Sequence, residues 1–142
     1  MTLSSMKSKE QLIAKQFTPV YDEREDRLRL IVNLNYPTRY DLWITRAFLI
    51  KLLDELSKFA LPDIEEEQPS TNQSDLNEPA IYPNTNTPYL VESVNITPTG
   101  DGFAITIEDG STQIVTTLSA QELKKLISLI LRTVRFAWGL YF

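Results

Sequence analysis

The chain carries the same pattern of strand-like and helix-like apolar residues twice, and this repetition restricts its fold more than any other feature. In the first copy, residues 28–34 alternate leucine or valine with other side chains, as in a strand with one buried face. A second alternating run, residues 40–44, follows a turn. Thr45 is suited to cap a helix whose apolar residues recur at helical spacing. These residues are Leu49, Leu52, Leu53 and Leu56.

The second copy repeats this order. Residues 103–107 and 114–118 alternate on either side of the turn Asp109-Gly110-Ser111, and Ser119 is followed three residues later by Glu122. A serine and a glutamate at this spacing form a capping box, in which each side chain binds a free backbone N–H of the first helical turn. The apolar helix positions that follow are Leu123, Leu126, Ile127, Ile130 and Val134.

The two copies align at an offset of 74 residues, which places Thr45 on Ser119 and four apolar helix positions on one another. Any two β-β-α units look similar once aligned, but the matching caps favour an internal duplication. A further strand is predicted before each hairpin, at residues 15–21 and 90–97, so that each copy reads β-β-β-α.

The predicted fold class is α+β. A three-stranded meander with one helix buries too little surface alone, so we expect the copies to share one antiparallel sheet of about six strands, with both helices packed on one face. The predicted divisions are a disordered segment at 1–12, the first repeat at 13–60, a linker at 61–88 and the second repeat at 89–142.

The predicted linker carries most of the acidity of the chain. Its net charge is −6, against +2 for residues 1–60 and −1 for residues 89–142, which together give the −5 of the whole chain. It is rich in Pro, Glu, Asn, Ser and Thr. Such a composition buries too little apolar surface to offset the entropy of ordering, so we predict a mostly disordered or extended connection.

The absence of cysteine and histidine narrows the chemistry open to this chain. Disulfides, thiolate nucleophiles, sulfur metal sites and the usual general base near neutral pH are all excluded. We therefore expect no catalytic residues, no metal site and no cofactor. The remaining enzymatic alternative is catalysis by carboxylates such as Asp22, Glu25 or Asp41.

Hydropathy gives no sign of membrane insertion or secretion. No window reaches the roughly 18 apolar residues of a membrane span, and residues 1–10 lack the apolar core of a signal peptide. A cytoplasmic location is the expectation.

One face of the first predicted hairpin carries the first candidate interaction surface. If the helices cover the leucine face, then Arg27, Arg29, Ile31 and Trp43 lie on the opposite, uncovered face. Tryptophan and arginine are favoured anchors of protein interfaces. An aromatic residue beside arginines can also stack and neutralise single-stranded nucleic acid.

The second helix and the residues after it carry a second candidate surface. Leu129, Phe136, Trp138 and Leu140 are apolar residues in addition to the core stripe. One interpretation is that this end of the chain folds back over its own sheet. The other is a dimer contact or docking site, which large exposed apolar patches usually mark.

These observations lead to two functional hypotheses. The first is a non-enzymatic binding or assembly module that acts through protein–protein contacts, as a homodimer or with another protein. The alternative is a single-stranded nucleic-acid-binding protein. Repeated strands followed by a helix are similar in topology to the PUR and Whirly families, whose repeats have four strands and a helix, one strand more than the three predicted here.

Overall fold

A computed structural model describes residues 10–59, 79–84 and 86–139, and these form eight strands and two helices. The alternating runs form strands and the runs at helical spacing form helices, as predicted. The elements are β1 (Glu10–Ile13), β2 (Phe17–Asp22), β3 (Arg27–Val32), β4 (Tyr40–Ile44), α1 (Arg46–Leu56), β5 (Tyr89–Leu90), β6 (Ser93–Pro98), β7 (Phe103–Glu108), β8 (Thr112–Leu118) and α2 (Ala120–Trp138).

The α+β class is confirmed, but the prediction of one antiparallel sheet of about six strands is wrong. The strands form two sheets of four, in the orders β2-β3-β4-β5 (the first sheet) and β6-β7-β8-β1 (the second sheet). Both sheets are mixed, because β4–β5 and β8–β1 pair in parallel while all other pairs are antiparallel. The two helices therefore do not share one face of one sheet.

Each sheet takes its parallel edge strand from the other half of the chain. β1, from the first half, pairs with β8, and β5, from the second half, pairs with β4. The chain passes from the second sheet to the first over a short distance. Ala14 still donates its N–H to the Val115 carbonyl in the second sheet, whereas Gln16 already accepts the N–H of Asn33 in the first. Neither sheet is complete without both halves.

Two of the predicted boundaries need correction. Residues 10–12, predicted as part of a disordered segment, belong to strand β1; residues 1–9 lie outside the described part. The end of the predicted linker also makes contacts with the first half, since the Tyr82 N–H donates to the Leu34 carbonyl and Asn86 accepts the Asp41 N–H. Residues 60–78 and residue 85 lie outside the described part.

The helix caps form as predicted. The Thr45 hydroxyl accepts the Phe48 N–H at the start of α1, and Ser119 and Glu122 form the complete capping box of α2. α2 ends at Gly139, whose φ of 61° is the left-handed conformation that glycine favours. In the part that the structure describes, neither helix is long and apolar enough to cross a membrane.

One hydrophobic core unites the two halves. Leucines of the first sheet and isoleucines of the second belong to the same buried cluster, together with Leu49 of α1 and Val134 of α2. The ring of Phe59, after α1, meets Phe103 of the second sheet edge to face, with centroids 5.2 Å apart. Conversely, helix α2 of the second half packs on β2 of the first sheet.

Candidate binding face

Four residues lie side by side across the first sheet. Val20 faces Arg29, Arg29 faces Trp43, and Trp43 faces Leu90 in the strand registers. Residues directly opposite one another on neighbouring strands project from the same face of a sheet. We call Val20, Arg29, Trp43 and Leu90 the arginine–tryptophan row. Val20 and Leu90, at its two ends, are each 43% exposed.

The centre of the row is held in place by a buried carboxylate. The Arg29 guanidinium lies over the Trp43 ring, 5.0 Å from its centroid, and its Nε is 3.4 Å from Oδ2 of Asp41. Asp41 is fully buried and also accepts two hydrogen bonds from Arg39, of 2.9 and 3.0 Å. A fork-shaped pair of this kind fixes both groups in one geometry. The Nε of Arg29 itself makes no hydrogen bond within the described part of the chain, so Arg29 is positioned by its ion pair with Asp41 and by its contact with the Trp43 ring.

The residues before β5 continue the edge of the first sheet beside Asp41. Asn86 donates to the Asp41 carbonyl and accepts from the Asp41 N–H, each at 3.0 Å. The Arg39 guanidinium donates to the Tyr82 carbonyl. These contacts are polar, and the apolar Ile81 of the same segment is 70% exposed.

A shallow cleft of about 370 Å³ adjoins the row. Half-exposed aromatic and aliphatic side chains share its wall with one cation and one anion. The lining residues are Arg27, Trp43, Pro88, Tyr89, Leu90, Glu92 and Gly110. A surface of this composition suits a mixed apolar and polar partner, because aromatic residues give contact area while charged groups fix orientation.

The charges around the row and the cleft balance. Three arginines lie within this surface and three carboxylates lie beside them. The arginines are Arg27, Arg29 and Arg39, and the acids are Asp22, the strand partner of Arg27, with Asp41 and Glu92. A phosphate backbone is attracted by uncompensated cations. This surface has no excess of them.

The structure places the four predicted residues of this face differently. Arg27 lines the cleft, and Arg29 and Trp43 form the centre of the row. Ile31, predicted to be uncovered, is buried and opposite Asp41. Strand parity predicts a shared face correctly, but it does not reveal that Ile31 and Asp41 are buried on it.

Only part of the predicted surface on the second helix is exposed in the structure. Phe136 is 83% exposed and Leu129 is also exposed, whereas Trp138 is only 3% exposed. Trp138 contacts the ring of Tyr21 and donates its indole N–H to Asp26, at 3.0 Å. Placing Trp138 on a contact surface is therefore wrong; it folds back onto the first sheet, as the alternative interpretation held. Leu140 lies outside the described residues.

Two of the three carboxylates considered for catalysis, Asp22 and Asp41, have structural partners. Asp22 accepts the Glu25 N–H and so closes the β2–β3 turn, and Asp41 is paired with two arginines. Among the described residues, no group of three or more acidic side chains is placed to hold a metal ion.

Sequence reasoning missed Val20 and Leu90 as ends of the row. Val20 follows a proline within an irregular run, and Leu90 belongs to a strand of two residues. Only the pairing of β5 with β4 places Leu90 beside Trp43, and no local pattern signals that pairing.

The comparisons with known proteins leave the site as the basis for any functional argument. No protein-family model matches the chain, and neither a curated protein nor a solved structure is significantly similar to it.

Proposed function

We propose that this protein is a non-enzymatic binding module that acts through protein–protein contacts, with the arginine–tryptophan row and its adjoining cleft as the contact surface. The observation that carries the proposal is the row itself, in which an ordered arginine and tryptophan lie between two half-exposed aliphatic side chains. Tryptophan and arginine are the side chains that most often dominate the binding energy of protein interfaces.

Order within the row supports this use. Binding immobilises side chains at an entropic cost of roughly 0.5–1.5 kcal/mol for each flexible one. Arg29 already lies against Trp43 and is ion-paired with Asp41, which lowers the entropic cost of fixing Arg29 on binding. The balanced charges of the surface also favour a protein partner over a polyanion.

The first partner to test is a second copy of the chain. Sedimentation velocity over a range of concentrations should show reversible self-association that Val20→Asp and Leu90→Asp weaken, since each places a charge within the contact. Ile13→Asp is the matched control, because Ile13 is an exposed aliphatic residue (67%) on the edge strand of the other sheet. A strictly monomeric chain for which cells yield no partner would argue against the proposal.

The second candidate is binding of single-stranded nucleic acid, which the stacking of Arg29 on Trp43 favours. Each half also contains four strands and a helix, the number in PUR and Whirly repeats. Fluorescence anisotropy with labelled single-stranded DNA and RNA separates the candidates. Binding that weakens steeply with salt and is lost in Trp43→Ala would replace the protein-contact proposal. Deleting residues 61–78 tests whether their acidic side chains compete for the site.

We also infer that the two halves arose by internal duplication. In each half a short exchanged strand precedes three antiparallel strands and a capped helix. Alignment of homologous sequences would test this inference. It would be wrong if the halves of homologues resembled one another no more than they resemble unrelated β-β-β-α units.

A further inference from the structure

The first half of the described chain is residues 10–59, and the second half is residues 79–84 and 86–139. Each half supplies one strand to the sheet of the other, and both contribute to the same core. We infer that each half is a specific binding partner for the other, so that a half supplied by a second copy of this chain fits the same interface. This inference does not rest on the proposed function.

The backbone contacts between the halves are reciprocal. β1 pairs with β8 along its four residues, from Glu10 opposite Thr112 to Ile13 opposite Val115. β5 pairs with β4, and the next residue, Val91, donates its N–H to the Trp43 carbonyl at 2.9 Å. Each half thus both gives an edge strand and receives one.

Side chains between the halves add specific contacts to this exchange. The Tyr40 hydroxyl donates to the fully buried Asp109 at 2.6 Å, joining the first sheet to the second. The Trp138 indole donates to Asp26, in the opposite half. Phe59 and Phe103 add the edge-to-face contact described above. A buried apolar core combined with directional hydrogen bonds is typical of an interface that excludes wrong partners.

All of these contacts lie between residues that the structure describes on either side of the link at residues 60–78. The covalent link between the halves makes their pairing a reaction within one chain, which raises their effective concentration without adding a contact. Cutting that link should therefore leave the halves paired, while allowing them to exchange between copies.

The test begins with the full chain carrying a protease recognition sequence, flanked by glycine and serine, between Ser70 and Thr71. The uncut protein is first compared with the wild type by circular dichroism, and the folded protein is then cleaved. The halves are expected to elute together at the mass of the intact chain. Their unfolding temperature should rise with protein concentration, because unfolding now separates two molecules. Co-expression of residues 1–70 and 71–142 as separate chains is a second route to the same complex.

Exchange is then measured by mixing cut protein of natural isotope content with cut protein grown on heavy isotopes, unfolding both in urea and refolding them together. Native mass spectrometry should find about half of the complexes as light–heavy hybrids. The inference would be overturned if the halves separated after cleavage or if refolding gave no hybrids. It would also be overturned if one half, isolated from the other, still unfolded cooperatively.

A matched pair of variants checks that the observed interface carries the pairing. Trp138→Ala should weaken the affinity between the halves at least about 100-fold, because it removes a buried aromatic side chain from the contact. Phe136→Ala, on the same helix but 83% exposed, should leave the affinity unchanged. Equal effects of the two substitutions would show that the halves pair in some other way.

Discussion

Asn33 is a buried polar residue at the point where the chain crosses from one sheet to the other. Its side-chain oxygen Oδ1 accepts the N–H groups of Lys15 and Gln16, at 2.6 and 3.3 Å. Its side-chain Nδ2 donates to the Ile13 carbonyl and the Thr38 hydroxyl, both at 3.0 Å. Its φ of 57° is left-handed, a conformation that asparagine tolerates better than most residues. The side chain thereby fixes the exit of β1 and the entry of β2.

Replacing Asn33 should show both roles. Asn33→Ala is expected to lower the free energy of unfolding by about 2–4 kcal/mol, because it leaves buried backbone groups unpaired and adds left-handed strain. Asn33→Gly should cost about 1 kcal/mol less, since glycine adopts this φ freely. Urea unfolding measures both. Equal losses below about 1 kcal/mol would contradict this role.

Asp26 should make the docking of α2 sensitive to acid. Hydrogen bonds from Tyr21 and then from Trp138 to its carboxylate hold the pKa of Asp26 below its ordinary value of 3.8. Because the folded-state pKa is lowered, its stabilisation is present above the ordinary value and is lost as the pH falls through the folded-state value.

Asp26→Asn is the variant that isolates this effect, since asparagine also tolerates the φ of 51° at this position. The wild type should be more stable at pH 7, and the difference should shrink in acid below about pH 3.9. Thermal unfolding between pH 7 and pH 2 measures it. A difference that stays constant over this range would show that the charge of Asp26 is not involved.

Strand parity was the most reliable signal at the residue scale. It correctly predicted that Arg29 and Trp43 share a face, because successive side chains of a strand point to opposite sides. It could not predict that Ile31 and Asp41 are buried on that face, because burial depends on tertiary contacts. Asp41 pairs with Arg39, whose guanidinium also binds the Tyr82 carbonyl far along the chain. The sequence pattern also fails to predict the burial of Trp138, because its partners, Tyr21 and Asp26, lie more than a hundred positions away.

Among the elements, the β6–β7 hairpin shows how a glycine is selected by close packing. A Cβ added to Gly102 would lie 2.2 Å from the Leu118 carbonyl oxygen, whereas one added to Gly100 would meet nothing within 4 Å. Neither glycine has a positive φ; Gly139 is the positive-φ glycine of the described residues. The requirement at Gly102 is space next to β8.

Gly102→Ala is therefore expected to destabilise the protein by about 1–3 kcal/mol, because backbone must move to admit the methyl group. Gly100→Ala, two residues away in the same turn, is the control and should change stability by less than about 0.5 kcal/mol. Chemical unfolding of both variants tests this. Similar effects at the two positions would mean that the backbone at Gly102 is not packed closely against Leu118.

The longer elements were predictable and the exchanged strands were not. The central strands and both helices show their apolar period over five or more residues, and the caps mark where the helices begin. β1 has four residues and β5 has two, which is too short for a periodic signal. Each is stabilised by its partner strand in the other half, so its formation depends on tertiary pairing.

At the scale of the whole molecule, the contact between Tyr40 and Asp109 joins the two sheets. Burial, and then the hydrogen bond to Asp109, raise the pKa of Tyr40 above its ordinary value of 10.0. A raised folded-state pKa means that this stabilisation is present below pH 10 and is lost as the pH rises through the folded-state value.

Tyr40→Phe should destabilise the protein by about 1.5 kcal/mol at pH 7, because a charged acceptor loses its donor. It should also reduce the loss of stability above pH 10, and the remaining loss includes Tyr21, whose pKa the hydrogen bond to Asp26 raises. Urea unfolding at pH 7 and pH 11 measures both changes. An alkaline loss identical to that of the wild type would exclude Tyr40 as a contributor.

The most direct measurement of the proposed contact surface is site-specific photo-crosslinking in cells that produce the protein. A photoreactive side chain is placed at Leu90, at the end of the arginine–tryptophan row, and in a separate variant at Ile13, the more exposed control on the second sheet. We expect protein adducts at position 90 and few at position 13. An adduct of twice the chain mass would identify a second copy. Adducts no more frequent at position 90 than at position 13 would contradict the assignment of this face as the binding surface.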